Sequence, residues 1–164
     1  MTQFRKVAVG GTFDELHRGH KILLNKAFEI GEHVVIGLSS DALVSKLGKP
    51  HITANFEQRK QGLNAWMTNL GVMQRAKVVP LFDAYGSSVK DLDLEALVVS
   101  EETKPTAEKI NQQRRKNGLP PLAIITVQMV PAQNSKPIST TRIRRGEINH
   151  EGFLLKKNSH ASAL

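Results

Sequence analysis

The chain contains no cysteine, which excludes disulfides, cysteine-ligated zinc and thiol catalysis. H-E-x-x-H is also missing, so a zinc hydrolase of that kind has no support. Neither G-x-G-x-x-G nor G-x-x-x-x-G-K-[ST] occurs, and the usual dinucleotide fingerprint and the P-loop go with them. Aromatic residues make up 5% of the chain, with one Trp and one Tyr. That leaves little for a base-stacking platform. No apolar run approaches the roughly 20 residues of a membrane span, and the N-terminus has no signal-peptide core. These absences predict a cytoplasmic protein with neither membrane nor nucleic acid as partner. No repeat or low-complexity tract is visible.

What remains is ordinary for one globular domain: 164 residues, 40% hydrophobic and 23% charged. The charge is uneven. Residues 1–103 balance 12 Lys/Arg against 12 Asp/Glu, whereas from Lys104 onward there are 11 against 3, which accounts for the whole net charge of +8. An anionic partner for the C-terminal part follows. Charge alone does not separate a polyphosphate nucleotide from a nucleic acid, and the Lys109–Lys116 cluster fits a solvated helix face equally well.

The chain is organised around Gly10-Gly11-Thr12-Phe13-Asp14-Glu15-Leu16-His17-Arg18-Gly19-His20. Val7 to Val9 reads as a buried strand ending at the two glycines, and Ile22, Leu23, Ala27, Phe28 and Ile30 have helical spacing. The turn between them carries His17 and His20 at i and i+3. At a helix start both histidines lie on one face, beside unpaired N–H groups and the positive dipole end. Such a place suits a phosphate. A plain turn followed by a solvated helix start would explain any one of these residues, but it does not explain the whole string.

Further strands are expected at 33–38, 76–81, 95–100 and 122–130, with Pro80 ending the pairing of the third. Helices are expected after a Ser39-Ser40-Asp41 cap through Leu47, from Phe56 to Leu70 before Gly71, and at 106–117 before Gly118. Residues 48–51 and 131–137 read as loops, and Ser139-Thr140-Thr141 opens a last basic helix. Residues 1–150 are read as one domain and 151–164 as a polar tail. Alternation of strands and helices implies an α/β fold: a Rossmann-like, doubly wound, five-stranded parallel sheet with helices on both faces. Ligands of such sheets bind beyond the carboxyl ends of the strands. This places His17, Lys49, Tyr85, Glu101 and Ser139 around one cleft.

Ile138-Ser139-Thr140-Thr141-Arg142-Ile143-Arg144 is a second anion-binding helix start, with three hydroxyls and two guanidinium groups. Alone it would also fit a capped basic surface helix. His17-Arg18-Gly19-His20 resembles the H-x-G-H signature of the nucleotidyltransferase superfamily, and residues 138–144 resemble its I-S-S-T-x-x-R signature, with Thr140 replacing the second serine and Arg144 as the motif arginine. Asp83-Ala84-Tyr85-Gly86, Leu97 to Thr103 (LVVSEET) and Ile110 to Arg114 (INQQR) look like the archaeal type of phosphopantetheine adenylyltransferase. The adenylyltransferase half of animal CoA synthase is similar there too. The resemblance runs from about Lys6 to Glu147.

The resemblance implies transfer of AMP from ATP to 4′-phosphopantetheine, giving dephospho-CoA and pyrophosphate, with Mg²⁺ accompanying ATP. It implies catalytic roles for His17, His20, Lys49 and Arg144. Gly11, Thr12, Phe13, His17, His20, Glu101, Asn111, Ser139, Thr140, Thr141 and Arg144 would bind ATP, and Thr12 and Lys49 phosphopantetheine. Lys46 rivals Lys49, and Glu101 and Asn111 fit ordinary cap or helix-surface chemistry equally well. Residues 138–141 also resemble the motif of cytidylyltransferases acting on glycerol phosphate or ethanolamine phosphate, although the usual Arg-Thr-Glu-Gly run upstream is replaced by Gln133 to Pro137. An NMN adenylyltransferase and a non-catalytic nucleic-acid-binding module are the weaker alternatives.

Overall fold

A computed structural model describes residues 2–47 and 53–128. Lys49, Ser139, Thr140, Thr141, Arg144 and the boundary at residue 150 lie outside the described residues. So do the predicted final helix and the tail.

Strands β1 (Phe4–Gly11), β2 (Gly31–Ser39), β3 (Ala76–Leu81), β4 (Ala96–Ser100) and β5 (Ala123–Val127) form one sheet in the order β3-β2-β1-β4-β5. Every pairing is parallel. Helices α1 (Arg18–Ile30), α2 (Asp41–Leu47), α3 (Phe56–Leu70) and α4 (Lys104–Lys116) lie between the strands. The side-chain alternation of the strands divides the core into two layers. Val7, Val9, Val34, Ile36, Leu38 and Val98 pack with Leu24 and Phe28 of α1 and Leu63 and Met67 of α3. Ala8 and Leu97 face the other way and meet Ala107 and Ile110 of α4. The doubly wound α/β expectation holds.

Three details differ from the sequence reading. First, β1 does not stop at its glycines: Gly10 pairs with Gly37, and Gly11 with Leu38. The glycines provide room within the strands instead. A Cβ on Gly37 would lie 2.8–2.9 Å from three atoms of Leu81, and one on Gly11 would lie 3.3 Å from the Phe13 ring. Second, Pro80 does not end the pairing of β3, which continues to Ser39 opposite Leu81. β3 is an edge strand, where a residue lacking an N–H is tolerated. Third, Arg114, counted in the basic cluster of α4, is 1% exposed. Its guanidinium donates to the carbonyls of Ser88, Asp91 and Pro120, each at 2.8 Å.

β1 pairs with β2 along nearly its whole length, but with β4 only at Val7 and Ala8. Beyond Ala8 the two central strands part. The order also reverses there, with β2 and β3 on one side and β4 and β5 on the other. That divergence at the carboxyl ends opens the crevice where doubly wound sheets bind their ligands.

Candidate active site

A cavity of about 490 Å³ occupies this crevice. Gly10, Gly11 and Thr12 from the end of β1, and Val98, Val99 and Ser100 from the end of β4, line it. α1 brings His20 to its wall, and the N-cap residue His17 joins it.

His17 is the N-cap of α1. Its Nδ1 accepts the N–H groups of Gly19 (3.1 Å) and His20 (3.4 Å). The return bond runs from the His17 N–H to Nδ1 of His20 at 3.4 Å, a capping box made of two imidazoles. The rings stack with centroids 3.7 Å apart and planes 20° from parallel. A ring nitrogen that accepts an N–H bond carries no proton, so each ring holds its proton on Nε2, away from the helix backbone. The Gly19 and His20 amides are thus engaged by His17, whereas the sequence reading had the first-turn N–H groups unpaired.

The loop leading to the pair is unusual. Phe13 and Glu15 adopt positive φ (49° and 52°), although neither is glycine. Such a residue costs on the order of 1 kcal/mol unless its surroundings hold it there. Phe13 is buried, and its ring sets an edge against His20 at 5.3 Å between centroids, 66° apart. Thr12 Oγ1 donates to Ser39 Oγ across the ends of β1 and β2 at 3.4 Å.

Further walls come from the turns that follow β3 and β4. Asp83 Oδ1 accepts the N–H groups of Tyr85 (2.8 Å) and Gly86 (2.7 Å), an Asx turn that brings Tyr85 to the cavity. After β4, Ser100 N–H donates to Thr103 Oγ1 at 3.0 Å, and the turn places Glu102 and Thr103 on the wall. Glu101 is exposed and does not line the cavity; its neighbour Glu102 does. Asn111 is also absent from the walls. Its amide nitrogen donates to the Leu122 carbonyl at 3.0 Å and its oxygen accepts the Leu122 N–H at 2.7 Å. It therefore docks the start of β5 onto α4. Gly11, Thr12, Phe13, His17, His20 and Tyr85 are brought together as expected. Lys46, the rival to Lys49, lies in the last turn of α2 and is not on the walls.

Asp91, also on the wall, forms an ion pair with Lys6 at 2.7 Å. Burial pushes its carboxyl up. The hydrogen bond from Lys6, the N–H groups of Asp93 and Leu94 and the Lys6 charge outweigh that burial and hold it below its ordinary value of 3.8.

Sequence reasoning missed Arg59, which is 3% exposed and reaches under the loop from α3. One signal was present: Arg59 interrupts the apolar stripe of α3 between Phe56 and Leu63, where a solvated cation does not belong.

Residues 8–146 match the cytidylyltransferase-like family. A phosphopantetheine adenylyltransferase from Methanopyrus kandleri is 43% identical over 91% of this chain and 94% of its own length. Another bearing that name, from Methanothermobacter thermautotrophicus, is 43% identical over 94% of this chain and 92% of its own. Among solved structures, a protein of unknown function from Archaeoglobus fulgidus superposes with a TM-score of 0.67 and 32% identity, covering 76% of this chain and 98% of the other. The chain belongs to the cytidylyltransferase-like family and, within it, to the phosphopantetheine adenylyltransferases.

Proposed function

We propose that the protein transfers AMP from ATP to 4′-phosphopantetheine, releasing pyrophosphate and dephospho-CoA, by direct in-line attack. The attacking phosphate oxygen is already anionic near neutral pH, so neither a general base nor a covalent intermediate is required. Catalysis then reduces to alignment and to neutralising charge that grows on the α-phosphate and the departing pyrophosphate. The observation that carries this reading is the stacked His17–His20 pair, with both Nδ1 atoms engaged by the backbone, on the wall of the crevice between β1 and β4. Such donors are fixed before substrate arrives, and fixed donors are what developing charge rewards.

The mixed lining of the cavity supports a two-part acceptor. Its lining includes the polar Thr12, His17 and His20 and also Leu43, Leu47, Leu81 and Tyr85. An acceptor with a phosphate and a long, weakly polar arm suits that mixture. Thr12 lies at the junction of the two substrates, and Lys49 is assigned to the attacking phosphate. Ser139, Thr140, Thr141 and Arg144 are assigned to the β- and γ-phosphates by their motif. Mg²⁺ would enter with ATP. Among the described residues no group of three or more His, Asp or Glu forms a metal site. Phosphate oxygens and water would be its ligands. No described helix is long and apolar enough to cross a membrane.

Mass-spectrometric detection of dephospho-CoA from ATP, Mg²⁺ and phosphopantetheine tests the proposal. Pyrophosphate release with CTP but not ATP would instead support a cytidylyltransferase.

A further inference from the structure

Arg59 does not line the cavity, yet it is buried beneath it and joins four segments. Nε donates to the Ala54 carbonyl at 2.8 Å. Nη1 donates to two carbonyls, Ser39 at 2.8 Å and Thr12 at 3.0 Å, which are the last residue of β2 and the first beyond β1. Nη2 donates to Asp41 Oδ1, at the first residue of α2, at 3.0 Å. Ala54 is held from its other side as well, because its N–H donates to the buried Asp14 Oδ1 at 3.3 Å. Thr12, Phe13, Asp14, Ala54 and Arg59 thus form a closed ring of covalent and hydrogen bonds. Phe13, the link between Thr12 and Asp14 in that ring, has a φ of 49° that needs outside support, and its side chain contacts His20.

We propose that Arg59 is a positioning residue for the transfer reaction: its guanidinium sets the spacing of the β1 and β2 ends and pins the 12–14 loop, so that Thr12 and His20 meet the phosphates in register. The inference rests on the transfer reaction proposed above. Only a planar fork reaches divergent carbonyls and a carboxylate at once, so a lysine ammonium keeps the charge but not the geometry. Misplacing preorganised groups by a fraction of an ångström lowers turnover more than it weakens ground-state binding.

The test compares Arg59→Met and Arg59→Lys with wild type as full-length proteins. Turnover is measured per folded molecule at saturating substrates, and affinity for α,β-methylene ATP by calorimetry. Hydrogen exchange is measured for the amides of residues 12–16 and, as a reference, of Val34 to Ile36. Turnover is expected to fall ten- to a hundredfold in Arg59→Met and about tenfold in Arg59→Lys. Analogue affinity stays within threefold, and exchange at 12–16 rises at least tenfold while the reference amides are unchanged. Turnover within twofold of wild type in both variants overturns the proposal, as does a fall matched by equal loss of analogue affinity, or faster exchange spread evenly into β2. If Arg59→Met does not accumulate as folded protein, Arg59→Lys decides on the same readings. If wild-type protein makes no dephospho-CoA, the transfer reading fails, and the exchange comparison alone decides whether Arg59 pins the loop.

Discussion

His17 and His20 cap each other: the Nδ1 of each ring accepts the other's backbone N–H, and the rings stack 3.7 Å apart. One pair of imidazoles therefore opens a helix, fixes its own tautomers and faces the cavity. Choice of substitution at these positions can therefore separate the helix cap from the catalytic role proposed for the rings.

His17→Asn keeps a side-chain acceptor for the Gly19 and His20 amides but removes the Nε2–H donor. Its thermal midpoint is expected within a few degrees of wild type, with turnover lowered by one to two orders of magnitude. His17→Ala loses the cap as well, about 1 kcal/mol of stability. Thermal melts with pyrophosphate-release assays check both. A His17→Asn variant with wild-type turnover would remove that ring from the chemistry.

His20→Ala is expected to lower kcat by on the order of a hundredfold while changing ATP affinity severalfold at most. Steady-state kinetics with calorimetry read the two separately. Equal losses in both would make His20 a ground-state ligand only.

Asn111→Ala tests a role that the structure relocates. With both ends of its amide on the Leu122 backbone, the truncation leaves two buried groups unpaired, at about 2 kcal/mol. Urea unfolding should show that loss, and the KM for ATP should be unchanged. A large rise in KM with intact stability would return Asn111 to the nucleotide.

Asp91 gives the protein an acid-sensitive strut. Its carboxyl is held below the ordinary value in the folded state, so its contribution is complete above pH 3.8 and is lost as pH falls through the folded value. The Lys6 pair is expected to contribute about 1 kcal/mol. Asp91→Asn should therefore be less stable than wild type near pH 7, and the two should converge as the pH falls through the lowered value of the folded carboxyl. Parallel melting curves across that range would show that the pair contributes nothing.

What the sequence made legible was periodicity. β3 and α3 have the predicted limits, and α2 ends where expected, because apolar spacing and the Gly71 cap mark them without reference to distant residues. The histidine pair was legible because its partners are three residues apart. Arg59, Asn111 and Arg114 were not, because their partners are mostly backbone carbonyls and N–H groups from elsewhere in the chain, and these carry no residue identity. The turn after β4 illustrates the limit of motif reading: LVVSEET marked the right segment, but only the Ser100–Thr103 hydrogen bonds decide which glutamate reaches the wall.

The sheet order also bears on how the protein emerges from the ribosome. β1 is made first but ends in the middle, and its second neighbour, β4, follows only after some ninety residues. Until Ala96 and Leu97 arrive, Val7 and Ala8 have one open flank, and the crevice has only one of its two banks. A nascent chain released before that point carries both histidines and nowhere for a nucleotide to settle.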